Sequence, residues 1–261
     1  MPARPTDSAD SPQTSRSAPP EIRILEARYG TFPEVDELNR DFIAGSRRLK
    51  LQIEVHEGIR YTESDPAVLL EQLSESLPGL DEHRCCGNSE IGSTFFRNGD
   101  GDGSTEGARL ASANLAHLLE HVVLDLQYRI AGATRCSAVT CGYWEPPSRY
   151  DLFVESSNAL CAGTSARLGV ALMNDHLAGH PAIPLYGLAI RVGRELYERH
   201  PWPRGDAELA ASLEEPAGRV QEITRHLRER SVVEEVLMTV NFGGGEQYGL
   251  AATPFPWRVN R

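Results

Sequence analysis

Residues 117–121 read HLLEH, an H-x-x-E-H pattern inside a long apolar stretch. On an α-helix, side chains four residues apart lie on one face, so His117 and His121 could bind a single Zn²⁺ or another divalent metal ion. Glu120 could then act as the general base that takes a proton from a water acidified by the metal. The order of the three residues is that of the inverted zincin metallopeptidases, and it predicts a metal-dependent hydrolase.

The sequence around the pattern favours this chemistry. Seven aliphatic residues make the helix apolar on most sides and predict that it is buried: Leu115, Leu118, Leu119, Val122, Val123, Leu124 and Leu126. Buried polar groups need partners, and a metal would supply one. The alternative is a pair of satisfied helix histidines beside a solvated glutamate. Asp125, one turn after His121, either accepts that ring's second N–H or is an exposed helix acid.

A catalytic zinc site needs a third protein ligand and one open position. Glu155 is the first candidate, because it follows the pattern in the order that inverted zincins use and ends a predicted strand. His83 is the second. The five cysteines are interpreted as reduced buried thiols, since their spacing fits neither a disulfide framework nor a zinc ribbon. A Cys85 nucleophile assisted by His83 is a further alternative.

Hydrophobic periodicity predicts the elements that must hold these side chains. Strands are expected at Ile22–Ala27, Leu49–Val55 and Tyr150–Glu155, and a short β-like segment at Val232–Val240. Helices are expected at 65–77, from about 106 to 131 around the pattern, and at 157–177, 185–198 and 206–230, with a long loop at 87–105. The predicted fold is α+β, a small sheet packed with helices, with the metal motif on a buried central helix.

Composition limits the class of protein. A length of 261 residues with 40% apolar composition suits one domain at 22–180 with a helical extension of that domain at 181–261. Residues 1–21 are rich in Pro, Ser and Asp, which predicts a disordered leader, and no apolar run predicts a membrane span, so the cytoplasm is expected. The net charge of −11 disfavours nucleic acid and anionic membranes as partners. Whether the chain is a monomer or a homodimer is left open.

Several segments together resemble one family. Residues 77–85 read LPGLDEHRC, residues 106–107 read EG, and residues 117–127 read HLLEHVVLDLQ. The opening IRILEARYG at 22–30, Thr134-Arg135 and YDLFVE at 150–155 extend the match. These stretches resemble the N-terminal domain of cyanophycin synthetases over about residues 22–177. The chain is too short for the ATP-grasp and ligase domains of those enzymes, and it has Cys86-Gly87-Asn88 where the family usually has a Ser-Pro-Gly-like turn.

The resemblance implies the family's fold and a substrate. In that family the domain binds cyanophycin, which is multi-arginyl-poly-aspartate, and in some members it is also a metal-dependent hydrolase of the polymer. The expected function is therefore a zinc-dependent peptidase, a cyanophycinase-type hydrolase, that cleaves peptide bonds of cyanophycin or of related Arg/Asp peptides. Arg135 is either a bidentate ligand of a substrate carboxylate or a surface residue. The alternatives are a non-catalytic cyanophycin-binding or assembly module, and a metallopeptidase acting on unrelated peptides.

Overall fold

A four-stranded antiparallel sheet forms one layer of the molecule. The computed structural model describes residues 21–56, 66–85, 105–133, 135–179, 183–235 and 247–251. The strands are β1 (Ile22–Thr31), β2 (Arg47–Val55), β3 (Ala138–Gly142) and β4 (Arg149–Glu155), in the order β1-β2-β4-β3. The predicted strands are confirmed, whereas β3 was not predicted from the sequence.

Alternation along the strands gives the sheet two different faces. On β2, Leu49, Leu51, Ile53 and Val55 are at most 1% exposed and join the main hydrophobic core. On β4, Leu152 and Val154 point to the same core, while Phe153 joins a separate small cluster with Phe32 and Val35 on the outer face. Successive side chains of a strand point to opposite faces, so the even-numbered side chains of β4 face the main core and the odd-numbered ones face the outer side of the sheet.

Helices cover the inner face of the sheet. The long helix α2 (Thr105–Ala131) follows α1 (Pro66–Ser76), and α3 (Ala159–Leu177) packs against α2. A side chain at Gly169 of α3 would come within 3.4 Å of Leu119, Val122 and Val123, so the glycine permits the close approach of these two helices. The fold is α+β, and α2 is the buried central helix.

The C-terminal part differs from its prediction. After α4 (Ile183–Arg199), the single helix expected at 206–230 is two helices, α5 (Asp206–Leu213) and α6 (Ala217–Glu229). Glu214 has a left-handed φ of 54° at the end of α5, and Pro216 precedes α6. Proline lacks the N–H that a continuous helix requires, and it excludes the α conformation at the residue before it, so the chain must break there.

A second, small sheet lies in the same part of the chain. It consists of β5 (Arg204–Gly205), β6 (Val233–Glu235) and β7 (Gln247–Leu250), in the order β5-β7-β6. The rest of the β-like segment predicted at 232–240, the leader predicted at 1–21 apart from Glu21, and the loop predicted at 87–105 apart from Thr105 lie outside the described residues. No helix in the described ranges is long and apolar enough to cross a membrane.

Candidate metal centre

The two histidines of the H-x-x-E-H pattern meet on one face of α2. Their Nε2 atoms are 3.2 Å apart, which the helical spacing of four residues predicts. His121 is buried at 3% exposure and His117 is half-buried. Both rings line a cleft of about 1300 Å³ on the surface of the protein. The sequence thus places two imidazoles side by side at the wall of an open cavity.

The third donor of this group is Cys85. Its Sγ lies 3.4 Å from His117 Nε2 and 3.2 Å from His121 Nε2. Together the three residues bring one ligand atom each to within 4.8 Å of the others. Cys85 is a free, half-buried thiol packed against the core, which agrees with the predicted reduced thiol, and its contact with the two histidines was not predicted.

The turn after α1 carries Cys85 to the histidines. Leu77 and Leu80 are fully buried and anchor the turn, and Gly79 adopts the left-handed φ of 89° that glycine tolerates. Arg129 of α2 donates from Nη2 to the carbonyl oxygen of Pro78 at 2.8 Å. Apolar anchors and this hydrogen bond fix the segment that ends at Cys85 against α2.

The donor set fits a tetrahedral cation. Zn²⁺ binds imidazole nitrogen and thiolate sulfur at about 2.0 to 2.3 Å, which places donor atoms roughly 3.4 to 3.6 Å apart in a tetrahedron. The three observed separations are 3.4, 3.2 and 3.2 Å. Two imidazoles and a thiolate also leave a fourth position, as catalytic zinc sites do. Cys85, His117 and His121 could therefore hold a metal ion.

Burial keeps both imidazoles in the form that binds metal. Desolvation lowers the pKa of His117, and desolvation together with the neighbouring His117 and His83 lowers the pKa of His121 well below its usual value. A neutral ring presents a lone pair, whereas a protonated one does not. In addition, His121 Nδ1 is buried without a hydrogen-bond partner in the described residues. The ring of His121 therefore makes its polar contacts through Nε2, with Cys85 and His117.

Glu120 is buried beside the histidines, with a single side-chain hydrogen bond to the described residues. It is 5% exposed, lines the same cleft, and accepts at Oε2 from the Thr140 hydroxyl of β3. Thr140 lies opposite Leu152 in the sheet and so points inward towards α2. Burial raises the pKa of Glu120 to about 7, although the Thr140 hydrogen bond lowers it. A carboxyl group with that pKa can both accept and release a proton near neutrality.

Glu155, the predicted third ligand, lies elsewhere. Its Oε1 accepts from the Ile43 backbone at 2.8 Å and from the Ser46 hydroxyl at 2.7 Å, and it is 3.8 Å from Arg48. The reason is strand alternation: Val154 faces the core and α2, so Glu155 points to the outer face of the sheet. The structure does not bring Glu155 to the histidines, and its carboxylate instead fastens the segment between β1 and β2.

His83 and Asp125 are close to the centre but are paired with each other. His83 Nε2 is 3.4 Å from Asp125 Oδ1, and its ring centroid is 5.7 Å from that of His121. Arg129 donates to the second oxygen of Asp125. Asp125 is buried, so it is not an exposed helix acid, but the structure does not show it accepting from His121 as predicted. Both residues support the turn that carries Cys85.

The cleft extends from the donor set over several elements. Its wall includes Arg84, Arg135, Tyr143 and Trp144. Arg135 is exposed and lines the cleft, and its role as a carboxylate ligand stays a prediction. A smaller cavity of about 420 Å³ shares Arg84 and His121 with the large one. Of the three donors, His121 lines both cavities, whereas Cys85 and His117 line the large one.

Cys85 is a candidate metal donor that pattern analysis missed, since the sequence suggested it only as a nucleophile. It lies 32 residues before His117, and local spacing cannot reveal a contact across that distance. The signal that could have found it is its place at the end of the LPGLDEHRC segment, which the resemblance includes. No protein-family model, curated protein or solved structure matches this chain. The resemblance to cyanophycin synthetases therefore stays a prediction.

Proposed function

We propose that this protein is a metal-dependent hydrolase, with zinc as the preferred metal, that cleaves peptide bonds of cyanophycin or related Arg/Asp peptides. The observation that carries the proposal is the convergence of Cys85, His117 and His121 at the wall of a large cleft, with Glu120 buried beside them. Their common location supports a chemical role.

Each residue has a distinct part in the proposed reaction. Cys85, His117 and His121 would hold the metal, which when bound acidifies water and polarises a carbonyl group. Glu120 takes a proton at its carboxylate during attack on the peptide carbonyl and returns it to the leaving nitrogen. The Thr140 hydroxyl fixes the orientation of that carboxylate by donating to Oε2. The surrounding aliphatic core excludes water from the far side of Glu120, which keeps its proton affinity high.

The charges of the cleft support a substrate that carries both signs. Glu37 and Asp41 line it together with Arg40, Arg84 and Arg135, and none of these five makes an ion pair with a residue in the described ranges. A polymer of aspartate with arginine side arms offers guanidinium groups to the carboxylates and carboxylates to the guanidinium groups. Together with the sequence resemblance, this arrangement favours cyanophycin over an apolar peptide.

The test is the release of soluble peptides from insoluble cyanophycin. We expect the wild-type chain with Zn²⁺ to release peptides and exhaustive chelation to abolish release. Glu120→Gln should lower the rate by about 10² to 10⁴, the usual contribution of a general base, while zinc stays bound. Glu215→Gln is a matched control, because Glu215 is a half-buried glutamate that is paired with Arg191 and Arg219 outside the cleft.

The outcomes separate the proposed function from its alternatives. Binding of cyanophycin without release in the presence of zinc would instead identify a non-catalytic binding module. Release from casein at the same rate as from cyanophycin would indicate a peptidase for unrelated peptides. Full activity after chelation, with metal content checked by elemental analysis, would contradict the metal mechanism.

A further inference from the structure

Two arginines on the cleft wall differ from most arginines of the described residues. Elsewhere, Arg149 is paired with Glu54, Arg191 with Glu215 and Arg204 with Glu195. Arg84 and Arg135, by contrast, are exposed in the cleft and make no ion pair within the part of the chain that the structure describes. A guanidinium group has five N–H donors and no acceptor, so an unpaired one is an available site for an anion.

Both arginines immediately precede cysteines that line the cleft. Arg84 immediately precedes the donor Cys85 and lines both cavities. Arg135 immediately precedes Cys136, which also lines both cavities. Consecutive Cα atoms are about 3.8 Å apart, so Arg84 is anchored next to the metal donors by covalent geometry alone.

The two cleft arginines are positive charges in a chain whose net charge is negative. At −11 overall, the protein as a whole repels anions, so an anionic peptide could bind only where local charge overcomes that field. Arg40 lines the same cleft, but Glu37 and Asp41 of the same loop lie near it in sequence and offset its charge. Arg84 also lines the smaller cavity, where neither Glu37 nor Asp41 does, and where Asp125 is paired with Arg129 and His83.

We infer that Arg84 and Arg135 form a carboxylate-binding subsite beside the metal centre, which selects peptides with acidic residues next to the bond to be cleaved. The inference rests on the proposed function for the reaction, and it adds the residues that determine specificity. Guanidinium groups bind carboxylates bidentately, which fixes orientation as well as position. In cyanophycin the aspartate side chains are amide-bonded to arginine, so the two arginines would hold the free α-carboxylates of the arginine arms. In an unmodified Asp peptide they would hold the aspartate side chains.

The experiment measures binding, so that it does not depend on hydrolysis. The probe is a fluorescently labelled hexa-aspartate, followed by anisotropy at low salt with the full chain carrying Glu120→Gln. One variant adds Arg84→Gln and Arg135→Gln. The control adds Arg194→Gln and Arg225→Gln, which remove the same charge from exposed positions on α4 and α6 outside the cleft. Each series is run with zinc and after chelation.

We expect the cleft variant to bind hexa-aspartate at least about tenfold more weakly than its parent, with or without zinc, and the control at most about twofold more weakly. Three results would overturn the subsite. The two variants could weaken binding equally, hexa-aspartate could fail to bind at all, or its binding could depend on zinc and be unchanged by the loss of the arginines. If arginine-dependent binding is found but cyanophycin is never cleaved, the proposed hydrolysis fails and the subsite stands. If cyanophycin is cleaved but hexa-aspartate binding does not depend on the arginines, the subsite fails and the proposed hydrolysis stands.

Discussion

Two carboxylates of this protein are buried almost equally but in different surroundings. Glu120 of α2 is 5% exposed and Asp175 of α3 is 4% exposed. Asp175 accepts hydrogen bonds from Tyr186 and Arg230, and His226 Nε2 lies 3.2 Å away. Among the described residues Glu120 accepts one hydrogen bond, from Thr140, and it lines a cavity.

The pKa values of the two groups are consequently shifted in opposite directions. Burial would raise the pKa of Asp175, but the hydrogen bonds from His226 and Tyr186 and the charge of Arg230 outweigh it and lower the pKa. For Glu120, burial dominates and the pKa rises to about 7. Burial alone therefore does not distinguish a structural acid from a reactive one. The number of donors around the carboxylate does, because they stabilise its charged form.

The largest expected effect distinguishes Cys85, beside the histidines, from Cys161, in the helix that carries Asp175. Cys85→Ala should weaken zinc binding by more than about 100-fold, since even loss of an outer-shell partner can cost 10- to 100-fold. Cys161→Ala, in the same α3 helix as Asp175, should leave the zinc content unchanged, because Cys161 is buried away from the donor set. Elemental analysis and competition with a zinc indicator measure both. Equal zinc affinity of the two variants would contradict the assignment of Cys85.

The next effect concerns stability in the Asp175 region. Asp175→Asn removes a charged acceptor from the buried Tyr186 hydroxyl and from Arg230, so we expect it to lower the free energy of unfolding by about 2 to 3 kcal/mol. For a chain of this size that corresponds to a fall in Tm of roughly 5 to 10 °C. Glu120→Gln should not destabilise the metal-free protein, because it removes a buried charge that has one donor. Thermal unfolding of both variants without metal measures this difference in stability. Equal losses of stability in the two variants would contradict the prediction.

A smaller effect is expected in the pH dependence of stability. The folded-state pKa of Asp175 is lowered, so its contribution is present above the unfolded value of about 3.9 and is lost as the pH falls through the lower folded value. The stability difference between wild type and Asp175→Asn should therefore be constant above about pH 5 and shrink below about pH 4. Urea unfolding across this range measures it. A difference that persists undiminished at pH 2 would show that the charge of Asp175 is not what stabilises the cluster.

The sequence predicted those parts of the fold whose periodicity is unbroken. Strand β2 follows from alternating Leu49, Leu51 and Ile53, and the helix around the histidines follows from its apolar residues. The break between α5 and α6 could have been predicted from Pro216, but the apolar spacing on both sides of it favoured one helix. Local propensity and long-range periodicity conflicted there, and proline decided the structure.

The candidate site was predictable only where its residues share one element. His117, Glu120 and His121 belong to one helix, so their mutual position follows from helical geometry. Glu155 could have been excluded by the same kind of argument, because Val154 must face the core and its neighbour cannot. Cys85 depends on how a turn packs against α2, through buried leucines and the hydrogen bond from Arg129 to Pro78. No local pattern encodes that contact.

The smallest expected effect compares the two most exposed large aromatic residues of the described ranges. Trp144, in the connection from β3 to β4, is 85% exposed and lines the cleft, whereas Trp202, after α4, is 73% exposed and lies outside it. The face of an exposed indole binds a guanidinium group with about 0.5 to 1 kcal/mol, so Trp144→Ala should raise KM for cyanophycin about two- to fivefold with little change in kcat. Trp202→Ala should change neither. Since Trp144→Phe keeps an aromatic face, it should recover part of the affinity, and failure of that recovery would mean that Trp144 acts by shaping the cleft wall and not by contacting the arginine arms of the polymer.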